Sequence, residues 1–172
     1  MADLPPARQV IRAAGADGRK PFANVVLDYD ARFLRRKRLV TAAGDGFLVT
    51  LPETTSLDAH DLLELDDGRR VEVLPAEEPL LIITGEALAR DAWHIGNRHT
   101  PCQIEAGRLL IRQDHVLKAM LIQLGAAVQR AMEPFTPEAG AYRLGRTMGH
   151  DHGPQIRCGG SRGLQLLRFP PR

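Results

Sequence analysis

The chain has 172 residues, enough for one large domain or two small ones. Hydrophobic residues make up 44 % and aromatics 5 %, so a core can be buried but must be built mostly from Leu, Val, Ile and Ala. A formal charge of +2 argues against a protein dedicated to wrapping nucleic acid, and the lack of an 18-residue apolar run excludes a transmembrane helix.

Met1 to Arg12 contains Asp3 and two prolines and no apolar stretch, unlike a secretory signal. The two cysteines, Cys102 and Cys158, are spaced like neither a zinc ribbon nor a disulfide framework, which fits a reduced, cytoplasmic setting.

The first 76 residues read as an all-β domain. Val25, Leu27 and Tyr29 alternate with Val26 and Asp28, and Leu34 to Thr41 is a second extended stretch. Asp45-Gly46 offers a type I′ turn into Phe47 to Leu51. Asp67-Gly68 similarly joins Leu62–Leu65 to Val71–Leu74, so a small barrel or two-layer meander is expected. Pro75, Glu77, Glu78 and Pro79 then break the pattern, placing a domain boundary at 76/77.

From Leu80 the rhythm changes. Leu80 to Thr84 reads as a strand, and Glu86 to about Arg98 as a helix with Thr84 as its N-cap. Gln103-Ile104 and Leu109 to Ile111 read as strands joined at Ala106-Gly107. Asp114 caps a second helix whose apolar stripe is Val116, Leu117, Met120, Leu121 and Leu124; Gly125 ends it, and Ala127 to Met132 supply a last strand. This βαββαβ order is ferredoxin-like and leaves one sheet face open. The expected fold class is α+β: an all-β domain over 1–76, a ferredoxin-like domain over 77–144, and a flexible tail over 145–172 rich in Gly, Arg and His.

Five of the six histidines lie in the second half of the chain, two of them in Gly149-His150-Asp151-His152-Gly153. Neutral imidazole is a common ligand for zinc, copper and nickel, and a His-x-His pair brings two ring nitrogens to one ion. Cys158, in the same tail, reads either as a soft ligand or as an incidental thiol.

His99 follows Gly96-Asn97-Arg98 and precedes Thr100-Pro101, so it sits just past a helix end. One imidazole holds an ion weakly; on a two-fold axis the same residue appears twice at one spot, and the tail pair would complete the site. His94, about 500° around a helix from His99, points elsewhere and reads as a packing residue beside Trp93. His115 opens the second helix, faces outward, and is a secondary metal candidate. His60 reads as a loop residue.

No Ser–His–Asp or Cys–His context and no His-Glu-x-x-His segment is present, so no catalytic residue is assigned. Arg32, Arg35, Arg36, Lys37 and Arg38 form the one dense basic cluster, read as a solvated strand face or a patch for an acidic protein partner.

Three blocks carry a resemblance: Trp93 to Ile104 (WHIGNRHTPCQI), Asp114 to Leu121 (DHVLKAML) and Pro134 to Tyr142 (PFTPEAGAY). In this order and spacing they closely resemble the UreE family, urease accessory proteins that carry nickel. The resemblance spans roughly residues 10 to 145, more loosely in the β-domain, which looks like the family's peptide-binding-type domain.

It implies a homodimeric, cytoplasmic nickel metallochaperone, not an enzyme. His99 would meet its two-fold mate, and His150 and His152 would add ligands. It also implies the GTPase UreG and the urease apoprotein complex as partners. By ligand type alone, Zn2+ or Cu2+ would compete for the Ni2+ site. Gln113 stands where some members have a histidine, which weakens an auxiliary site on His115, and the tail lacks the long polyhistidine run of other members.

Two other classes compete. An RNA-binding module on a ferredoxin-like sheet needs stacking aromatics on its central strands, and 80–84 and 108–112 contain none. A zinc-dependent hydrolase needs an acid/base motif that is absent. Neither nucleic acid nor membrane is expected as a partner.

Overall fold

The structure, a computed structural model, describes residues 3–139. It contains two sheets. The first holds β1 (Ala7–Ile11), β2 (Ala23–Leu27), β3 (Phe33–Val40), β4 (Gly46–Ser56), β5 (Leu62–Leu65) and β6 (Arg70–Pro75), in the spatial order β2-β6-β5-β1-β4-β3. The second holds β7 (Glu77–Thr84), β8 (Gln103–Glu105), β9 (Arg108–Arg112) and β10 (Ala127–Pro134), in the order β10-β7-β9-β8, with α1 (Leu88–Gly96) and α2 (His115–Gln123).

Both expected hairpins form in the first sheet, but the sheet is not a meander. β1 runs parallel to β4 and β2 parallel to β6, so strands distant in sequence lie side by side. β1 was not visible in the sequence pattern: its apolar content is Ala7, Val10 and Ile11 after two prolines, yet Ala7 is wholly buried against β4 and β5.

The β3–β4 turn also differs from the expected type I′ turn at Asp45-Gly46. Thr41 N–H donates to the Asp45 carbonyl at 2.9 Å, and the left-handed residue is Gly44 at φ 91°. Gly46 already belongs to β4, opposite Val40, where a Cβ would lie 2.5 Å from the Arg38 guanidinium. Asp67-Gly68 behaves as read, with Gly68 at φ 82°.

The second sheet is antiparallel throughout and has the ferredoxin-like order. Alternation along the strands divides its residues between two faces. Leu81, Ile83, Leu109 and Ile111 pack against Ile95 of α1 and Leu117 and Leu121 of α2. Val116, expected in the apolar stripe, is instead 53 % exposed.

Asp114 caps α2 as expected, its Oδ1 accepting from the Val116 and Leu117 amides at 2.7 and 2.9 Å. Thr84 does not cap α1. It is the last residue of β7, and α1 starts after Ala87 with no side-chain cap.

The other sheet face is not left open. Leu80 and Leu110 lie under Phe135, which is fully buried, and Tyr29, in the turn between β2 and β3, meets the Phe135 ring edge-on at 5.4 Å. Polar contacts reinforce this joint: Tyr29 N–H donates to Glu78 Oε1 at 2.6 Å, Arg112 pairs with Asp30 at 2.5 Å, and Arg32 donates to the Phe135 carbonyl. The Arg32 and Arg112 guanidiniums each lie 5.6 Å from the Tyr29 ring centroid, within cation–π range. The chain passes from β6 to β7 through Ala76 alone, whose N–H donates to the Leu27 carbonyl at 2.9 Å. Pro79, read as part of a break, is inside β7 opposite Met132.

Removing the ring at this joint should therefore be costly. Phe135→Ala is expected to lower unfolding stability by about 3–5 kcal/mol, read from a urea midpoint. A loss below about 1 kcal/mol would show that the two sheets do not lean on this side chain.

Candidate functional site

The end of α1 sets the site. Asn97 N–H donates to the Trp93 carbonyl at 2.9 Å, Arg98 N–H to Ile95 at 3.1 Å, and His99 N–H to Gly96 at 2.9 Å. His99 adopts φ 55°, the left-handed conformation that ends many helices and usually calls for glycine. In an L-residue that conformation costs on the order of 1–2 kcal/mol. Its effect is to turn the chain sharply and leave the His99 side chain exposed beyond the helix. Thr100 and Pro101 then lead directly into β8.

The remaining described histidines do not converge on it. His94 is half-buried, its ring 5.0 Å from that of Trp93 at 81°. The angular argument that separates it from His99 does not apply, because α1 ends at Gly96. His115 is exposed at the first position of α2, as expected. His60 lies in the turn between β4 and β5, as expected of a loop residue, with Nδ1 2.8 Å from Glu72 Oε1. Among the described residues, no three His, Cys, Asp or Glu side chains come close enough together to hold a metal ion. His150, His152 and Cys158 lie outside the described residues.

What sequence reading missed is how the segment after β10 is fastened. Thr136 N–H donates to Gln103 Oε1 at 2.6 Å, and Glu138 N–H donates to the Cys102 carbonyl at 2.9 Å. Gln103 is held in turn, its Nε2 donating to Glu105 Oε1 at 2.5 Å. Arg108 locks the same corner, with Nε 2.6 Å from Glu105 Oε2 and a bidentate pair to Glu133 at 3.1 and 2.9 Å. The Arg108 hydrogen bond holds the Glu105 carboxyl below its usual range. The segment leading to the tail is thereby pinned three residues from His99.

Cys102 sits in this corner, half-buried, its thiol 3.7 Å from the Gln103 carbonyl. Burial, and secondarily the Glu138 carboxylate, push its pKa from 9.0 up to about 11. The thiolate is the reactive form, so Cys102 is a slow nucleophile near neutral pH.

Two outcomes follow from this geometry. In a Cys158→Ser background, alkylation of Cys102 at pH 8 should run about a hundredfold slower than for a thiol of ordinary pKa, since its thiolate fraction is smaller by that factor. An ordinary rate would contradict the burial. At the helix stop, His99→Gly should be more stable to urea than His99→Ala by about 1 kcal/mol, because only glycine adopts this φ without strain. Equal midpoints would mean that the left-handed conformation is not kept.

Comparison with known proteins agrees with the two-sheet layout. The family model for the UreE urease accessory protein, N-terminal domain, matches residues 7–76, and that for its C-terminal domain matches residues 78–157. The urease accessory protein UreE of Rhodobacter capsulatus is 60 % identical over 148 residues, covering 86 % of this chain and 93 % of the relative. That of Cereibacter sphaeroides is 61 % identical over 155 residues, covering 90 % and 84 %. That of Paracoccus denitrificans is 58 % identical over 145 residues, covering 84 % and 90 %. With two family models tiling the described residues and relatives this similar along nearly their whole length, the chain belongs to the UreE family of urease accessory proteins.

Proposed function

We propose that this protein is a nickel metallochaperone of the cytoplasm, which carries Ni2+ as cargo and hands it to urease during active-site assembly. Membership of an accessory family makes it a maturation factor and not a catalyst. Its organisation would be a β-domain over 1–76, a metal-binding and dimerisation domain over 77–144, and a tail over 145–172. No described helix is long and apolar enough to cross a membrane.

The observation that carries this reading is the exposed His99 on its left-handed helix stop. One such imidazole makes a weak site, and the described part of a single chain offers no three-donor cluster to supplement it. Further ligands must come from elsewhere. A homodimer with His99 near its two-fold axis supplies a second imidazole at the same point.

His150 and His152 supply two more. The Glu138–Cys102 hydrogen bond anchors the chain twelve residues before His150, and an extended segment of that length spans up to about 40 Å, ample to return to His99. His115, exposed on α2, is proposed as an auxiliary ligand.

A site with half its donors on a long segment suits transfer. Its ligands can leave the ion one at a time as a recipient's ligands replace them. The proposed recipients are the GTPase UreG and the urease apoprotein complex. Imidazole donors do not select nickel by themselves, because Cu2+ binds such sites more tightly and Zn2+ competes. Selection then falls to what is loaded in the cell and to the geometry of transfer.

The test is nickel titration calorimetry combined with light scattering. The wild-type protein should bind about one tight ion per two chains. His99→Ala and His99→Gly should both abolish the tight site, and His150→Ala with His152→Ala should weaken it without removing it. An undiminished tight site in both His99 variants, or a protein that is strictly monomeric with and without nickel, would overturn this reading.

A further inference from the structure

Buried carboxylates in this chain are matched by donors, with one exception. Asp61 and Asp91 are each 1 % exposed. Asp61 accepts from Arg12 and from the Ala13 and Asp58 amides at 2.7, 3.0 and 2.9 Å, and buried Glu78 accepts from the Tyr29 amide. Asp91, on α1, accepts no hydrogen bond and forms no ion pair among the described residues, and its Oδ1 is buried. A buried carboxylate left without a donor is costly. An acid in the first turn of a helix interacts well with the helix dipole, but that effect operates at the surface and gives no reason for burial.

Asp91 lines a cleft of about 400 Å³, whose other walls are residues 84–87, leading into α1, and 124–127, leading from α2 into β10. The volume is that of a small-molecule site. The cleft is narrow, since a Cβ at Gly85 would lie 3.7 Å from the Ala126 Cα, and its walls there are bare backbone. Glu86 adds a second, exposed carboxylate. The carbonyl end of α2 adds the negative end of a helix dipole, and α1 begins at the same cleft with the opposite sign, so the two carboxylates set the field. One carbonyl there already holds a guanidinium: Arg90 Nη2 donates to the Leu124 carbonyl at 2.6 Å.

We propose that this cleft is a binding site for a guanidinium group, with the Asp91 carboxylate accepting its paired N–H groups. Three chemical points favour that ligand. A guanidinium is flat, as a narrow cleft with backbone walls requires. Its two parallel N–H groups match the two oxygens of a carboxylate. It is also more weakly hydrated than an ammonium, so it loses less on leaving water. A metal ion is the wrong occupant, because no three His, Cys, Asp or Glu side chains among the described residues come close enough to hold one.

The inference is independent of nickel and is tested on the full chain with metal removed. The probe is butylguanidinium, followed by changes in amide chemical shift. Butylammonium keeps the charge without the fork, and N-butylurea keeps the planar shape without the charge. Butylguanidinium should bind with a Kd on the order of 1 mM, moving the amides of Gly85, Asp91 and Gly125, and both comparison ligands should bind at least tenfold more weakly. Asp91→Asn should weaken binding at least tenfold with a urea midpoint unchanged or raised, because an unpaired buried charge is removed. Ala127→Leu, at an exposed position on the cleft wall, should weaken binding comparably by filling the space, and it decides the matter should Asp91→Asn not fold.

The guanidinium could be a separate molecule or one of the six arginines beyond residue 139. A chain with Arg143, Arg146, Arg157, Arg162, Arg168 and Arg172 changed to Gln separates the two. Tighter binding of the probe there identifies the chain's own arginines as the native occupant, and unchanged binding identifies a separate molecule.

No change at the three amides would overturn the proposal. Equal binding of butylammonium would overturn it in favour of an unselective cation surface. A lowered midpoint for Asp91→Asn with binding retained would make the carboxylate a structural group and overturn it as well. None of these results bears on the His99 site.

Discussion

Everything at the candidate site depends on how α1 is stopped. A helix that ends and turns at once into a strand needs one residue in the left-handed conformation, and glycine takes it at least cost. Here that residue is His99, at φ 55°. Fixing an L-residue in this conformation spends folding free energy that glycine would retain, and the return is positional. The imidazole stands clear of the helix on a backbone set by the Gly96 and Ile95 carbonyls, without depending on a flexible loop.

The second constraint is the joint between the sheets. A ferredoxin-like sheet with helices on one face exposes apolar residues on the other, here Leu80, Ile82 and Leu110. Phe135 folds back over them, and Tyr29 reaches across from the turn between β2 and β3 to complete the cover. Covering that face also decides where the chain goes next. Once Phe135 is buried, Thr136 and Glu138 fall against Gln103 and Cys102, the latter three residues on from His99.

Local patterns in the sequence carried much of this. Asp114 as a cap, Gly107 and Gly68 as turn residues, and the βαββαβ order each rest on a few adjacent residues, and each is present in the structure. The features that escaped are those set by distant partners. β1 is a strand because β4 and β5 flank it, not because of its own alternation.

The β3–β4 turn was placed one glycine too late because Asp45-Gly46 matches a two-residue turn, whereas the strands part at Val40 and Gly46 and require five intervening residues. His99 was identified from its segment, but its backbone conformation was not, since nothing in Asn97-Arg98-His99-Thr100 announces a left-handed histidine. The pairing of Thr136 with Gln103 spans 33 residues and has no sequence signature at all.

That division explains why the metal hypothesis takes the form it does. Within the described part of one chain the ligands are scattered: His94 against Trp93, His115 at the start of α2, His60 beside Glu72, and Cys102 held as a thiol by its surroundings. A protein meant to keep its metal would gather three or four donors on rigid elements and support them with a second layer of hydrogen bonds. This chain does the opposite. Under the proposed reading it would commit one donor, His99, to a strained turn and leave the others to the tail and to a second copy of the chain. Such a site has a defined address but an adjustable grip, which is the property that release to a second protein requires.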